Sequence, residues 1–176
     1  MGLVSKIQLN VQAQLLTPLD LADATANLNK TYLLNLASGF AAGQADRVFH
    51  DNRTLAPSTA EDLDLAGALL DPLGGAFAPV RIKAIMVRAG ITNVNNVIIG
   101  GVANAWATLL SPAATGLLTL RPGALFLAMA GGVQSGEAGD ATGYTVTPAT
   151  GDLLHIANSG AGTSVNYDVV LIGCSA

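Results

Sequence analysis

Near the start of the chain, Ile7, Leu9, Val11, Ala13 and Leu15 alternate without a break with Lys6, Gln8, Asn10, Gln12 and Gln14. A period of two over ten residues predicts a β-strand with one buried and one solvated face, because successive side chains leave a strand on opposite sides. Thr17-Pro18-Leu19-Asp20 breaks the run. Residues 21–38 carry enough Leu and Ala to form a helix by propensity. Alternation through Thr25, Asn27 and Asn29, with Tyr32 and Leu34, fits a strand better. Gly39 and Gly43 then open a loop.

From Ala45 onward, short apolar runs recur at roughly ten-residue intervals between Gly, Pro, Asn and Ser, the spacing of an all-β domain. The pattern predicts strands over 47–55, 61–65, 80–88, 97–99, 117–121, 124–130, 144–147, 153–158 and 165–172. Pro57-Ser58, Gly67, the stretch from Pro72 to Pro79 and Pro122-Gly123 supply the breaks. Ser159-Gly160-Ala161-Gly162 reads as a hairpin connection between the last two strands, and residues 131–143 as a long Gly-rich loop. The expected fold is all-β, a jelly-roll-like β-sandwich (residues 21–176) preceded by an N-terminal strand or arm (residues 1–20).

Composition changes the picture in one respect. Of 176 residues, 51% are hydrophobic and only 11% charged, against a usual charged share of about 25%. A monomer of this mass exposes roughly 8,000 Å², far more than twenty charged side chains can cover. Such a surface favours association with other copies or burial in a lattice. The net charge is −4, and the eight basic residues are scattered, which argues against a nucleic-acid partner. The uncharged run from Ala89 to Leu120 is interrupted by Asn93, Asn95, Asn96, Asn104 and Pro112, so it does not read as a membrane span. Met1-Gly2-Leu3-Val4-Ser5-Lys6 lacks a signal-peptide core and has Lys6 where myristoylation wants Ser or Thr. The lone Cys174 offers no intrachain disulfide, which suits a reducing cytoplasm.

Residues that could carry chemistry are few. His50 and His155 have no His or Cys partner at metal-ligand spacing. His50 and Asp51 are adjacent on a strand and so face opposite ways. His155, between Leu154 and Ile156, reads as a structural histidine. The acidic trio Glu61, Asp62 and Asp64 could offer metal ligands, since Asp62 and Asp64 share a strand face and could hold a hard cation, but ion pairing with an arginine of a neighbouring strand or subunit is the simpler use. Glu137 and Asp140 lie in a Gly-rich loop without a calcium-loop pattern, and Gly160-Ala161-Gly162-Thr163 lacks the features of a nucleotide loop. The glycosylation patterns at Asn29 and Asn52 carry little weight without a secretory signal. Trp106 reads as a core or interface anchor. The expectation is a non-enzymatic protein with no catalytic, cofactor-binding or metal-binding residues and no cofactor.

The run from Ala45 through Asp46-Arg47-Val48-Phe49-His50-Asp51-Asn52-Arg53-Thr54 to Leu55, followed by Glu61-Asp62-Leu63-Asp64-Leu65-Ala66-Gly67, resembles small structural proteins of tailed bacteriophages. Leu120-Arg121-Pro122-Gly123, Thr142-Gly143-Tyr144, Gly151-Asp152-Leu153-Leu154, Asn158 to Gly162 and Tyr167 to Gly173 continue the resemblance. Within that group the likeness is to capsid decoration, or cement, proteins. It implies a virion protein assembled in the bacterial cytoplasm and placed on the capsid surface. It also implies contact with the major capsid protein and with other copies of the chain, commonly as a trimer. A tail or head-fibre component is the alternative, and a carbohydrate-binding sandwich centred on Trp106 a more distant one. Either way the N-terminal strand is expected to contribute to contact between subunits.

Overall fold

The computed structural model describes residues 2–67, 69–106, 109, 116–130 and 143–176. Among them there is no helix, and fourteen strands follow one another: β1 (Ser5–Pro18), β2 (Asp23–Ser38), β3 (Gln44–Ala45), β4 (Arg47–Leu55), β5 (Ala60–Asp64), β6 (Leu69–Leu70), β7 (Ala76–Phe77), β8 (Arg81–Ala89), β9 (Val97–Gly100), β10 (Leu117–Leu120), β11 (Leu125–Met129), β12 (Tyr144–Thr145), β13 (Leu153–Asn158) and β14 (Val165–Cys174). The expected strands recur with boundaries shifted by a few residues at most. The two-residue strands β3, β6 and β7 were not expected, being too short to show a period.

Eight strands form two packed antiparallel sheets, in the orders β11-β8-β14-β4 and β10-β9-β13-β5, with β12 extending the first alongside β8. The pairings are nested: β9 with β10, β8 with β11, β5 with β13 and β4 with β14. This is one long antiparallel hairpin rolled up so that successive pairs fall in alternate sheets, the jelly-roll arrangement. The inner faces carry the alternating apolar residues. Val165, Tyr167, Val169 and Leu171 of β14 meet Val97 and Ile99 of β9, and Leu154 and Ile156 of β13, in one buried cluster with Phe49, Leu63, Phe77, Ile85, Val87 and Trp106.

One reading needs correction. Residues 159–162 do not close a hairpin, because β13 and β14 lie in opposite sheets. The segment is a corner, held by asparagines. The Asn158 side chain donates to the carbonyls of Ala56 (3.0 Å) and Thr163 (2.9 Å), and Asn95 donates to Asn158 Oδ1 (3.0 Å) and the Gly160 carbonyl (3.1 Å). A Gly-rich tetrapeptide permits either geometry; the side chains around it decide. The 131–142 part of the Gly-rich loop, with Glu137 and Asp140, lies outside the described residues.

The two strands expected before Gly39 pair with each other as a hairpin over residues 5–38, in place of an N-terminal arm separate from the rest. β1 and β2 pair without a slip from Ser5↔Leu36 to Pro18↔Asp23. The division expected at residue 20 falls in the turn of this hairpin, where the Leu19 N–H donates to the Ala22 carbonyl (2.9 Å). Among the described residues, only the base of the hairpin touches the sandwich. Leu34 and Leu36 are buried with Ala84 and Ile172 on the outer face of the β11-β8-β14-β4 sheet, joined by Leu3, Ile7, Val48, Met129 and Val170.

The β8–β14 ladder slips by one residue between Ile172 and Gly173, leaving Lys83 as the extra residue of a bulge. The bulge brings backbones together: a Cβ on Gly173 would lie 2.7 Å from the Arg81 carbonyl oxygen and 2.7 Å from Pro79 Cβ. Gly173→Ala should therefore cost about 1–3 kcal/mol in urea denaturation. Gly67→Ala, where an added Cβ meets nothing within 4 Å, should leave the midpoint nearly unchanged.

Candidate interaction surface

The register of the hairpin sorts its side chains onto two faces, since directly paired residues in an antiparallel ladder point the same way. One face carries Ile7, Leu9, Val11, Ala13 and Leu15 from β1 and Leu34, Tyr32, Lys30, Leu28 and Ala26 from β2. The other carries Gln8, Asn10, Gln12 and Gln14 with Thr31, Asn29, Asn27 and Thr25, interrupted by Leu16 and Leu33. On this polar face Thr31 Oγ1 donates to Asn10 Oδ1 at 2.9 Å. The period-two pattern thus produces an amphipathic ribbon. Fourteen paired positions at about 3.4 Å each make a ribbon about 48 Å long.

Burial departs from expectation along most of it. A solvated and a buried face were expected for residues 6–15, but within the single chain both faces are exposed from Gln8 outward. Leu9 is 39% exposed, Val11 37%, Leu28 51% and Leu15 70%. The alternation is present, but among the described residues nothing covers the apolar face beyond Ile7 and Leu34. At the base, an apolar groove of about 180 Å³ runs between Lys6 and Ile7 of the hairpin and Ala84, Met86, Leu127 and Val170 of the sheet.

The charged candidates are used inside the domain. Arg53 of β4 faces inward and donates through Nε to Glu61 Oε2 of β5 at 2.8 Å and through Nη1 to Asp51 Oδ2 at 2.8 Å. Tyr167 Oη donates to Glu61 Oε1 at 2.8 Å. Because β4 and β5 are the edge strands of the two sheets, this cluster closes one open side of the sandwich. The bond to Glu61 holds the Arg53 guanidinium above its ordinary pKa, against the lowering effect of burial. Burial, and then the bond to Glu61, push the Tyr167 phenol well above its ordinary value.

The remaining candidates are scattered. Asp62 pairs across the ladder with His155, Oδ1 to Nδ1 at 2.6 Å, and Asp64 accepts from the Ala66 N–H at 2.8 Å. Of the acidic trio, Glu61 takes the expected arginine of a neighbouring strand, Arg53, while Asp62 and Asp64 have the other partners given above. His50, paired with Val170, is exposed on the outer face, while its neighbour Asp51 turns inward to Arg53. Trp106 is 3% exposed, donates to the Thr145 carbonyl at 2.9 Å and meets Tyr144 edge-on. Cys174 is buried. Among the described residues, no group of three or more His, Cys, Asp or Glu converges as a metal site, and no helix is long and apolar enough to cross a membrane.

Comparison of the chain with protein-family models, with curated proteins and with solved structures finds no match. The surface is therefore read from its own chemistry. Reading the sequence did not find the Arg53–Glu61–Tyr167 cluster. Its only local signal is an Arg and a Glu flanking the Pro57-Ser58 turn, and Tyr167 joins them only through the fold.

The cluster makes stability sensitive to alkali. Unfolded, the Tyr167 phenol ionises near 10; folded, it keeps its proton to higher pH. Above about pH 10 the unfolded chain sheds a proton that the folded one retains, so stability falls as pH rises, by up to about 1.4 kcal/mol per unit. Denaturant titrations at pH 8, 10 and 11 should show this decline. Tyr167→Phe should flatten it, at a cost of about 1–2 kcal/mol at pH 8 for the lost bond to Glu61.

Proposed function

We propose that this protein is a structural component of a tailed-phage virion, a decoration protein that stabilises the capsid through protein–protein contacts. The observation that carries the reading is the hairpin whose apolar face, over most of its length, has no partner among the described residues. A two-stranded ribbon is at best marginally stable alone in water, so such an element is suited to a protein that works inside an assembly.

Two further features support the reading. The charged share of 11% leaves a bland surface suited to burial between subunits. Some of the charged side chains that are present engage one another within the domain: Arg53 engages Glu61 and Asp51, and His155 engages Asp62. The resemblance of residues 45–173 to phage structural proteins gives the assembly its setting. In this reading the chain is a homo-oligomer, a trimer by the habit of that group, seated on the major capsid protein at the outer surface of the shell. It acts without catalysis or cofactor, and without nucleic-acid or membrane partners. Contact area added between neighbouring shell subunits must be lost before the shell opens, and many weak copies sum to a large barrier.

The test compares particles carrying the protein with particles lacking it under heat and osmotic shock. Particles lacking it should lose infectivity at a temperature several degrees lower, and the purified chain added back should bind the shells and restore survival. Equal survival, or labelling of the protein at the tail in averaged virion images, would rule out the decoration role.

A further inference from the structure

We infer that the hairpin is the self-association element of this protein, and that the occupant of its apolar face is the same face of a second copy of the chain. This rests on the reading of the protein as a subunit of an assembly and specifies how the copies hold together.

The face that packs on the sandwich through Ile7, Leu34 and Leu36 continues without a change of register past the edge of its own domain. Beyond that edge it keeps the composition of an interface core. Of the residues there, Lys30 is the only charged one, and no acidic residue shares the face. A charged partner such as a nucleic acid would find a single cation. An identical ribbon would find apolar surface, with the four-methylene stem of Lys30 lying along it and the ammonium reaching the margin.

The relief of the face fits a copy of itself. Successive rungs pair a large with a small residue on alternating sides: Leu28 stands opposite Ala13, and Leu15 opposite Ala26. These two outer rungs each offer one ridge and one hollow, and the ridges of one ribbon can enter the hollows of another, as facing layers of a core do. The opposite face, lined with Gln, Asn and Thr, stays hydrated when the apolar faces meet. Two strands about 5 Å apart and about ten exposed residues long give a projected face on the order of 350 Å². Each partner in a stable interface contributes about 800 Å². Ribbon pairing thus supplies a substantial part of an interface, and contact between the bodies or a further ribbon supplies the rest.

The full-length chain is tested in three ways. Light scattering after size exclusion should give a multiple of the 17.7 kDa chain mass. Leu15→Asn and Leu28→Asn, both at exposed positions that leave the sandwich core intact, should each weaken association at least tenfold, with unchanged near-ultraviolet circular dichroism. Ala13→Cys should form disulfide-linked dimers on mild oxidation, whereas Gln12→Cys, on the opposite face, should not; Cys174 is buried and leaves the background low. A wild-type chain that is monomeric at tens of micromolar overturns the inference, as does one that is monomeric and partitions onto phosphatidylcholine vesicles. So does an oligomer whose mass survives both Asn variants, or cross-linking of Gln12→Cys as efficient as that of Ala13→Cys. If a monomeric wild-type chain still protects shells, ribbon pairing is wrong and the decoration role stands. If the oligomer is lost with Leu28→Asn but the wild-type chain never binds shells, the pairing stands and the decoration role is wrong.

Discussion

The last strand of the chain lies in the middle of a sheet, and the rest of the fold is arranged around it. β14 pairs along one edge with β4, from the start of the sandwich, and along the other with β8, from its middle. Its inward residues, Val165, Tyr167, Val169 and Leu171, reach both halves of the core. Neither sheet can be completed until distant residues have met, Val165 with Leu55 in one sheet and Leu153 with Asp64 in the other. Such a topology carries a large loop-closure cost before its contacts repay it, which is the physical basis of slow folding in sandwiches of this kind. The bulge at Gly173 shows how tight the arrangement is: the ladder shifts by one residue, and the backbone approaches Arg81 and Pro79 at distances that admit no side chain.

A chain with few charges meets its polar requirements in two ways. Where the sandwich would be open between β4 and β5, Arg53, Glu61 and Tyr167 form a shared hydrogen-bonded cluster facing inward. Inward-pointing charge at edge strands also discourages sheet-to-sheet pairing with other molecules. Where the chain turns from one sheet to the other, neutral asparagines do the work. Asn93 accepts from the Asn166 N–H and donates to its carbonyl, and Asn95 and Asn158 secure the 159–163 corner. The amide side chain suits these corners because it offers both donor and acceptor without the desolvation cost of an ion.

The sandwich and the hairpin solve opposite problems. Rolling the long hairpin into a jelly roll closes the apolar faces of β4 to β14 on one another. The N-terminal ribbon has the same period-two chemistry but no second sheet of its own. Its base is secured by Leu34 and Leu36, which anchor it to the domain, and its outer part presents an apolar face. One chain thus carries a core closed on itself and, among the described residues, an apolar face left open.

The positions of the strands were legible in the sequence because period two is a local property. The alternation of Ile7 to Leu15, the breaks at Pro57-Ser58 and Pro122-Gly123, and the choice of strand over helix for 23–38 needed only neighbouring residues. The spacing of those breaks also pointed to a sandwich. Alternation reveals that a strand has an apolar face, however, and not what covers that face. Whether Leu15 and Leu28 would be buried, whether residues 159–162 would turn back or cross to the other sheet, and which carboxylate would take Arg53 all depend on partners distant in the chain. Those partners are brought near only by the nested pairing of the strands. Local spacing therefore determined the elements and their two faces, and the tertiary structure alone decided which faces meet, because burial belongs to pairs of surfaces.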